Sequence, residues 1–426
     1  MSNNLNDVIA NLQRSSTPSV EDQTNNNNIE KTPIAKNKPS FEVIESSPNL
    51  ETQSSQSFDF DFDTPEFDTD SEENIVTAIK DESGGSLTYA IIGLGQCGGR
   101  LAQSFYDLGY KKCLAINTSY HDLADLTIAH KIKIGSTDGA GKDMEVSSSI
   151  FTSEKANILQ YMHKVFGNDV DHILICAGAG GGTGSGTIIP TIELSKLYLK
   201  QLGFEDVNLK VGAISTIPTN NEISSPSVKQ NSLQVLTSLS EMANNKQISP
   251  FIVIDNDRVK KLFPKLTVSN FYPTINRTIT QLFHTFNIIS TKESDLISFD
   301  KADYKSVINS TGHMVMGAVT LKDYSSSESI SRALRNNIET TLLAAEFDLD
   351  TASVVGAIIL GSKKIFDSVP GLMSSIEDAF GTISFLTGDA TVHRGLYTNN
   401  SESIKVFTLI SGLKSPVRRY RKINNM

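Results

Sequence analysis

Two glycine clusters, each closing a short apolar run, are the segments of this chain best suited to hold a ligand. The first is Gly93-Leu94-Gly95-Gln96-Cys97-Gly98-Gly99, ahead of a helical stretch from Arg100. The second is Gly178-Ala179-Gly180-Gly181-Gly182-Thr183-Gly184-Ser185-Gly186, ahead of another from Thr187. Glycines let backbone amides come close to a phosphate chain, and a helix starting behind them offers free N–H groups and a partial positive charge. Neither loop contains the Gly-Lys-Ser/Thr of a P-loop, so amides, helix dipoles and Mg²⁺ must neutralise the phosphates. The first cluster alone satisfies GxGxxG, a pattern that ordinary strand-helix turns also produce. A dinucleotide site expects an acid about 20 residues further on, at the end of the second strand. Here that strand ends in Asn117-Thr118, and a nicotinamide fold has no use for the second, richer glycine run. One nucleotide gripped along its polyphosphate suits both clusters.

Loops of this kind need strands that open on one edge of a sheet. Short apolar runs of strand length occur at Thr88–Ile92, Lys112–Ile116, Lys131–Ile134, His172–Ala177, Leu209–Ser215 and Pro250–Ile254, with helix-length segments between most of them. That alternation predicts an α/β fold with a doubly wound parallel sheet. A long helix is expected over 268–290, where Ile275, Ile279, Leu282, Phe283 and Phe286 recur at helical spacing. Beyond it, strand-like runs at Met314–Thr320, Ser353–Leu360, Thr382–Leu386 and Ile404–Ile410, with helical stretches at Ser327–Ala344 and Pro370–Phe380, predict a second, α+β domain. The expected units are a disordered acidic extension (1–86), a nucleotide-binding domain (87–267), the central helix (268–290), the second domain (291–413) and a basic tail (414–426).

Charge separates the extension from the rest. Residues 1–86 carry 17 acidic against 5 basic side chains, whereas the remainder holds 31 against 33. A globally acidic protein is excluded; a near-neutral globule with an acidic extension remains. Within the extension, Phe58-Asp59-Phe60-Asp61-Phe62-Asp63 and Phe67-Asp68 suit either a motif that adds as a strand to a partner's sheet or a solvated linker. Cys97, Cys113 and Cys176, odd in number and without CxxC spacing, argue against a disulfide scaffold and supply no zinc site. The seven histidines are scattered and are expected to be structural or superficial. No apolar run approaches the roughly 20 residues of a membrane span, and the N-terminus lacks a secretory layout, so a cytoplasmic protein is expected.

The second cluster closely resembles the glycine signature of the tubulin/FtsZ family of GTPases, and other segments resemble that family's loops in the same order. Gly93–Gly99 is similar to its first phosphate loop and Asn117-Thr118 to its second. Gly139-Ala140-Gly141-Lys142-Asp143-Met144-Glu145-Val146 resembles the loop that senses the γ-phosphate. Thr216-Ile217-Pro218 with Glu222 resembles the sugar-contacting loop, and Ile254-Asp255-Asn256-Asp257-Arg258 the loop whose Asn reads guanine. Asn276 falls where the central helix presents Asn or Asp to the base, and Asp300-Lys301-Ala302-Asp303 resembles the acidic loop that opens the second domain. The resemblance spans residues 87 to about 413 and leans toward the phage and plasmid TubZ-like branch. It departs at Pro226, where the sugar loop has arginine, at Arg100, where FtsZ usually has Asn, and at Ser298, where the acidic loop has Asn.

The resemblance implies a site for GTP or GDP. Gly95, Gln96, Cys97, Gly98, Gly181, Gly182, Thr183, Gly184 and Ser185 would surround the phosphates together with Asn117. Gly139, Ala140 and Gly141 would face the γ-phosphate, Glu222 the ribose, and Asn256 and Asn276 the guanine. Mg²⁺ would be held mainly by the phosphates, with no protein metal site. Asp300 and Asp303, taken alone, suit a solvated loop or a helix N-cap; the family register makes them the groups that orient and polarise water in the pocket of the next subunit. A head-to-tail contact does not close, so it gives filaments. The implied protein is a polymerisation-dependent GTPase of a bacterial or phage-infected cytoplasm that positions phage or plasmid DNA. An adaptor or DNA-linked partner would be reached through the basic tail or the Phe/Asp motif. A division-ring FtsZ relative and a GTP-binding filament without turnover are the alternatives.

Overall fold

Strands rich in Ile, Val and Ala alternate with amphipathic helices along this chain, and ten of them hydrogen-bond into one sheet. The computed structural model describes residues 81–426 apart from Thr137, Ser325, Ser401 and Glu402. The Phe/Asp motif and residues 1–80 of the predicted extension lie outside the described residues. The first half contains β1 (Tyr89–Leu94), α1 (Gly95–Asp107), β2 (Cys113–Asn117), α2 (Tyr120–Ala124), β3 (Lys131–Lys133), α3 (Met144–Phe166), β4 (His172–Gly178), α4 (Gly182–Gln201), β5 (Val211–Ile217), α5 (Asn220–Ile223), α6 (Pro226–Asn244), β6 (Phe251–Asp255) and α7 (Asn256–Leu262). The long α8 (Val268–Ile289) and then α9 (Lys301–Ile308) lead into β7 (His313–Leu321), α10 (Ser327–Thr341), β8 (Val354–Ser362), α11 (Lys363–Ser368), α12 (Leu372–Leu386), β9 (Thr391–Asn399), β10 (Ile404–Leu413) and α13 (Val417–Asn425).

The strand order is β3-β2-β1-β4-β5-β6-β7-β10-β8-β9. Every pairing from β3 to β7 is parallel, whereas β10 runs antiparallel to both β7 and β8. The winding reverses between β1 and β4, and a crevice must open at their carboxyl ends, where ligands of doubly wound sheets bind. Successive residues of β4 feed opposite sides: Ile173, Ile175 and Ala177 pack toward α3, α4 and α6, while Leu174 and Cys176 pack toward α1 and α8. On α8 the buried face is Ile275, Ile279, Leu282, Phe283 and Phe286, as the spacing predicts. The predicted α/β class and parallel sheet are present. The second half adds its strands to the same sheet through two residue pairs, Phe251 with His313 and Ile252 with Met314.

Three expectations need correction. Thr382–Leu386 is not a strand but the last turn of α12, because Ile376, Ala379, Phe380 and Ile383 form one buried helical face. The strand in this region is β9, which ends the sheet beside β8 and meets only Ile297 through Leu396 on its other side among the described residues, and whose Thr391-Val392-His393-Arg394 start hides it among polar residues. The basic segment is also no simple tail, since α13 buries Arg419, Tyr420 and Ile423. Ordered contacts already begin ahead of residue 87, where Ser86 N donates to Asn287 O at 3.0 Å.

Candidate functional site

β1 and β4 are hydrogen-bonded neighbours, with Leu94 beside Ala177, so the turns that leave them open side by side. The glycines in these turns do different jobs. A Cβ on Gly98 would lie 2.0 Å from the Cys176 carbonyl oxygen, so this glycine lets α1 rest on β4. Gly95 has φ +66°, a left-handed turn that throws the chain from strand into helix. By contrast, a Cβ on Gly181 would meet nothing within 4 Å.

α1 and α4 start at these turns without a side-chain cap and without an acid in the first turn. Several other helices are capped by side chains, with Ser119, Asp143, Asp255 and Asp300 serving α2, α3, α7 and α9, whereas α6, α8, α12 and α13 also start without a cap but away from these two turns. The first-turn N–H groups of α1 and α4 are therefore left for an anion. They border a cleft of about 600 Å³, within the usual range for small-molecule sites. Following the strand ends from β2 to β6, the wall presents Asn117, then Gly95 to Cys97, Gly178 to Gly184, Thr216 with Pro218, and finally Asn256. Asn276 closes the cleft from α8, and Glu222 from α5. This is an elongated site with amides in its middle and amide side chains at its end.

Residues 88–264 match the Tubulin/FtsZ family GTPase domain. They form a tubulin/FtsZ-family GTPase domain. Members of this family are GTPases. The tubulin-like protein CetZ of Pyrococcus abyssi is 26% identical over 333 residues, covering 76% of this chain and 85% of its own length. The cell division protein FtsZ of Buchnera aphidicola is also 26% identical over 333 residues, covering 76% and 78%. Among solved structures, the GTPγS-form protofilament of TubZ from Bacillus thuringiensis serovar israelensis has a TM-score of 0.68 at 20% identity, covering 82% of this chain and 93% of that one.

Within the GTPase domain the polar side chains are already organised. The Gln96 and Asn117 amides donate to the two Asp122 oxygens at 2.9 and 3.1 Å, which fixes the first two loops against each other. Thr118 and Thr183 hydroxyls lie 2.7 Å apart, and Cys97 Sγ is 3.3 Å from Thr216 Oγ1. Burial pushes the Cys97 thiol up, against the opposing hydrogen bond from Thr216, which favours the neutral thiol. Glu222 Oε2 accepts from the Thr219 amide and hydroxyl, both at 2.7 Å. Gly139, Gly141 and Lys142 all take positive φ, and Asn231 Nδ2 bridges Lys142 O at 2.9 Å to Gly181 O at 3.3 Å. That bridge holds the Gly139–Lys142 loop beside the glycine run.

Of the residues expected around a nucleotide, Gly95, Gln96, Cys97, Asn117, Gly181, Gly182, Thr183, Gly184, Glu222, Asn256 and Asn276 line one cleft. Gly98 lies beneath it, and Ser185 turns inward to donate to Ala179 O at 2.7 Å. Gly139, Ala140 and Gly141 stand behind Lys142, which is the member of that loop lining the cleft. Asp300 and Asp303 are not on the cleft wall. They form a capping box at the start of α9, where Asp300 Oδ1 accepts from Ala302 N and Asp303 N. Arg258 also points elsewhere, donating to Leu342 O and Glu339 O.

Five lining residues were not identified from the sequence: Asp122, Asn221, Ser225, Val228 and Tyr272. Tyr272 was legible, because it stands four residues before Asn276 on one helix face. Nothing local marks Asp122; its role follows from the turn that brings it under Gln96.

Proposed function

We propose that this protein binds GTP in the cleft between α1 and α4, polymerises head-to-tail, and hydrolyses GTP where the next subunit's Asp300 and Asp303 meet the γ-phosphate. The observation that carries the reading is the pair of uncapped, acid-free helix N-termini facing one elongated cleft that ends at Asn256 and Asn276. Amides of Gln96, Cys97, Gly182, Thr183 and Gly184 take the phosphates, and the two asparagines offer both donors and acceptors to a purine edge.

Two acids line the cleft, and both are engaged: Asp122 accepts from Gln96 and Asn117, and Glu222 from Thr219. Among the described residues no three His, Cys, Asp or Glu side chains gather as a metal site. Mg²⁺ would then be carried mainly by the phosphate oxygens, where it neutralises developing charge. Exposed apolar side chains occur at Tyr120, Val146 and Val268, each a few residues along the chain from a cleft-lining position, and at Leu296 ahead of the acidic loop, where a contact between copies could bury them. The TubZ structure with the same fold is itself a GTPγS-form protofilament.

Positioning of phage or plasmid DNA, which the resemblance implies, gains no support from the basic segment. Arg419 and Lys422 there pair with Asp255 and Glu346 of the same chain. No described helix is long and apolar enough to cross a membrane. Light scattering and pelleting with GTP, GDP and a slowly hydrolysed analogue test the proposal. Assembly should require a nucleoside triphosphate and phosphate release should rise steeply with protein concentration. A GTPase rate per subunit that is independent of concentration would reject the shared site.

A further inference from the structure

The basic segment at the end of the chain forms a docked element. α13 lies against α6: Tyr420 is fully buried with its hydroxyl 2.9 Å from Ser240 Oγ, and Asn244 Nδ2 donates to Ser415 Oγ at 3.1 Å. This docking carries Arg419, 7% exposed in its side chain, behind the Asn256 end of the cleft. Its Nε donates to Asp255 Oδ2 at 2.7 Å, its Nη2 to Asp255 Oδ1 at 3.2 Å, and its Nη1 to Asn220 Oδ1 at 3.3 Å. Asp257 Oδ2 stands 3.7 Å from Nη2. The Asp255 side chain is 4% exposed, so the pair is buried and bidentate, a geometry in which the planar guanidinium fixes the carboxylate plane.

What Arg419 grips is the frame of the cleft. Asp255 ends β6 and caps α7 by accepting from Asp257 N at 3.1 Å, so its orientation sets the first residue of α7, Asn256. Asp257 in turn accepts from Asn220 N at 2.8 Å, and Asn220 opens α5, whose Asn221 and Glu222 line the cleft. One guanidinium thus ties together the two short helices that wall this end of the site. Arg419 lies beyond residues 88–264, so the GTPase domain borrows this contact from the far end of the chain.

The geometry points to Arg419 as a positioning residue for guanine selectivity: by clamping Asp255 and Asn220 it holds Asn256 in register with the base. This rests on the assignment of Asn256 to the base in the preceding section. A buried carboxylate left without its guanidinium turns toward other donors, and the cap it makes for α7 turns with it.

The test compares GTP with ITP, which lacks the guanine 2-amino group, by competition against a fluorescent GTP analogue, using the full chain at concentrations below assembly. Arg419→Ala should lower the GTP-to-ITP affinity ratio about tenfold, a change of about 1.4 kcal/mol, with ITP affinity changed by no more than about twofold. Arg419→Lys, which keeps the buried charge but not the fork, should fall between Arg419→Ala and wild type, and it carries the comparison if Arg419→Ala is insoluble. Asn256→Ala should collapse the same ratio, and adding Arg419→Ala to it should lower the ratio no further, because the two changes act through one contact. Equal losses of GTP and ITP affinity in both Arg419 variants would mean a merely structural role and overturn the inference. So would an unchanged ratio in both while Asn256→Ala lowers it. If Asn256→Ala itself leaves the ratio unchanged, the base assignment fails and the inference falls with it.

Discussion

His393 Nδ1 lies 2.6 Å from Asp303 Oδ1, while His393 Nε2 is 3.0 Å from Ser306 Oγ. Asp303 already accepts from Asp300 N at 3.1 Å, so its carboxylate is held from two sides. The histidine comes from the edge strand β9, and the aspartate from the start of α9, 90 residues earlier. If Asp303 acts on a neighbour's nucleotide, His393 fixes the direction in which it acts.

The expected outcome for His393→Ala is slower assembly-dependent hydrolysis with unchanged GTP affinity. Losing one charge-assisted hydrogen bond is worth about 1.5–3 kcal/mol, or roughly tenfold or more in rate. His393→Asn, which retains a donor, should recover part of the loss. Steady-state phosphate release above the assembly threshold, paired with equilibrium GTP titration, separates the two effects; weakened binding with normal turnover would contradict this role.

The glycine loops give a second pair of outcomes. Gly181 has φ −79° and open space at its Cβ, so Gly181→Ala should change stability by no more than about 1 kcal/mol yet weaken nucleotide binding, because the methyl enters the cleft. Gly98→Ala should do the reverse: its Cβ would strike backbone 2.0 Å away, and overpacking against a strand costs about 1–3 kcal/mol or more. Thermal melts of both variants with and without GTP read the contrast. A strongly destabilised Gly181→Ala would mean the glycine run is structural throughout.

Acid should destabilise the fold. Burial lowers His172 and His284 to about 4 and His313 to about 3, against 6.5 for the free side chain. Neutral His172 Nε2 donates to Ser249 O at 2.7 Å, an arrangement that burial favours over the charged ring. Because the folded values lie below the unfolded one, their contribution is complete above pH 6.5 and is lost as pH falls toward 4. Each group adds up to about 1.4 kcal/mol per pH unit inside that window. Calorimetric melting between pH 7 and 5 should show the midpoint dropping on acidification, and His284→Gln should flatten the slope. A midpoint indifferent to pH in that range would contradict the buried, neutral assignment.

What was legible in the sequence is what is local. The glycine runs announce themselves because the amides that face the cleft belong to the loop residues themselves, and α8 announces itself through Ile275, Ile279 and Phe283 at helical spacing. Contacts built between distant segments leave no such trace. Asp255 and Arg419 are 164 residues apart, so Asp255-Asn256-Asp257 identifies a loop without naming what holds it. His393 carries no local mark, because β9 opens on polar residues and its partner Asp303 lies 90 residues away. In α12, the run from Thr382 to Leu386 has strand-like composition, and only the burial of Ile376, Phe380 and Ile383 along one side decides for helix. Asp300 and Asp303 mark the other limit: their local geometry is a helix cap, and a catalytic role needs a second copy of the chain.

That role can be separated from capping by mixing two damaged proteins. Asp300 is exposed at the start of α9, whereas Thr183 lines the cleft with its hydroxyl against Thr118. Replacing Asp300 by Asn keeps a cap for α9, so the fold should survive while the charge that polarises water is lost. Asp300→Asn should therefore bind GTP normally, hydrolyse it very slowly, and form filaments that persist. A bulky replacement such as Gly182→Val should instead abolish binding, since a Cβ there already comes within 2.9 Å of Lys142 Cα. The Gly182 variant still offers Asp300 to a neighbour, and the Asp300 variant still holds nucleotide. Mixed at concentrations that permit co-assembly, two nearly inactive proteins should regain turnover, with a maximum at intermediate ratios, as a site shared between subunits requires. Activity that never exceeds the weighted sum of the two, in mixtures shown by co-pelleting to contain both, would place the entire catalytic apparatus within one chain.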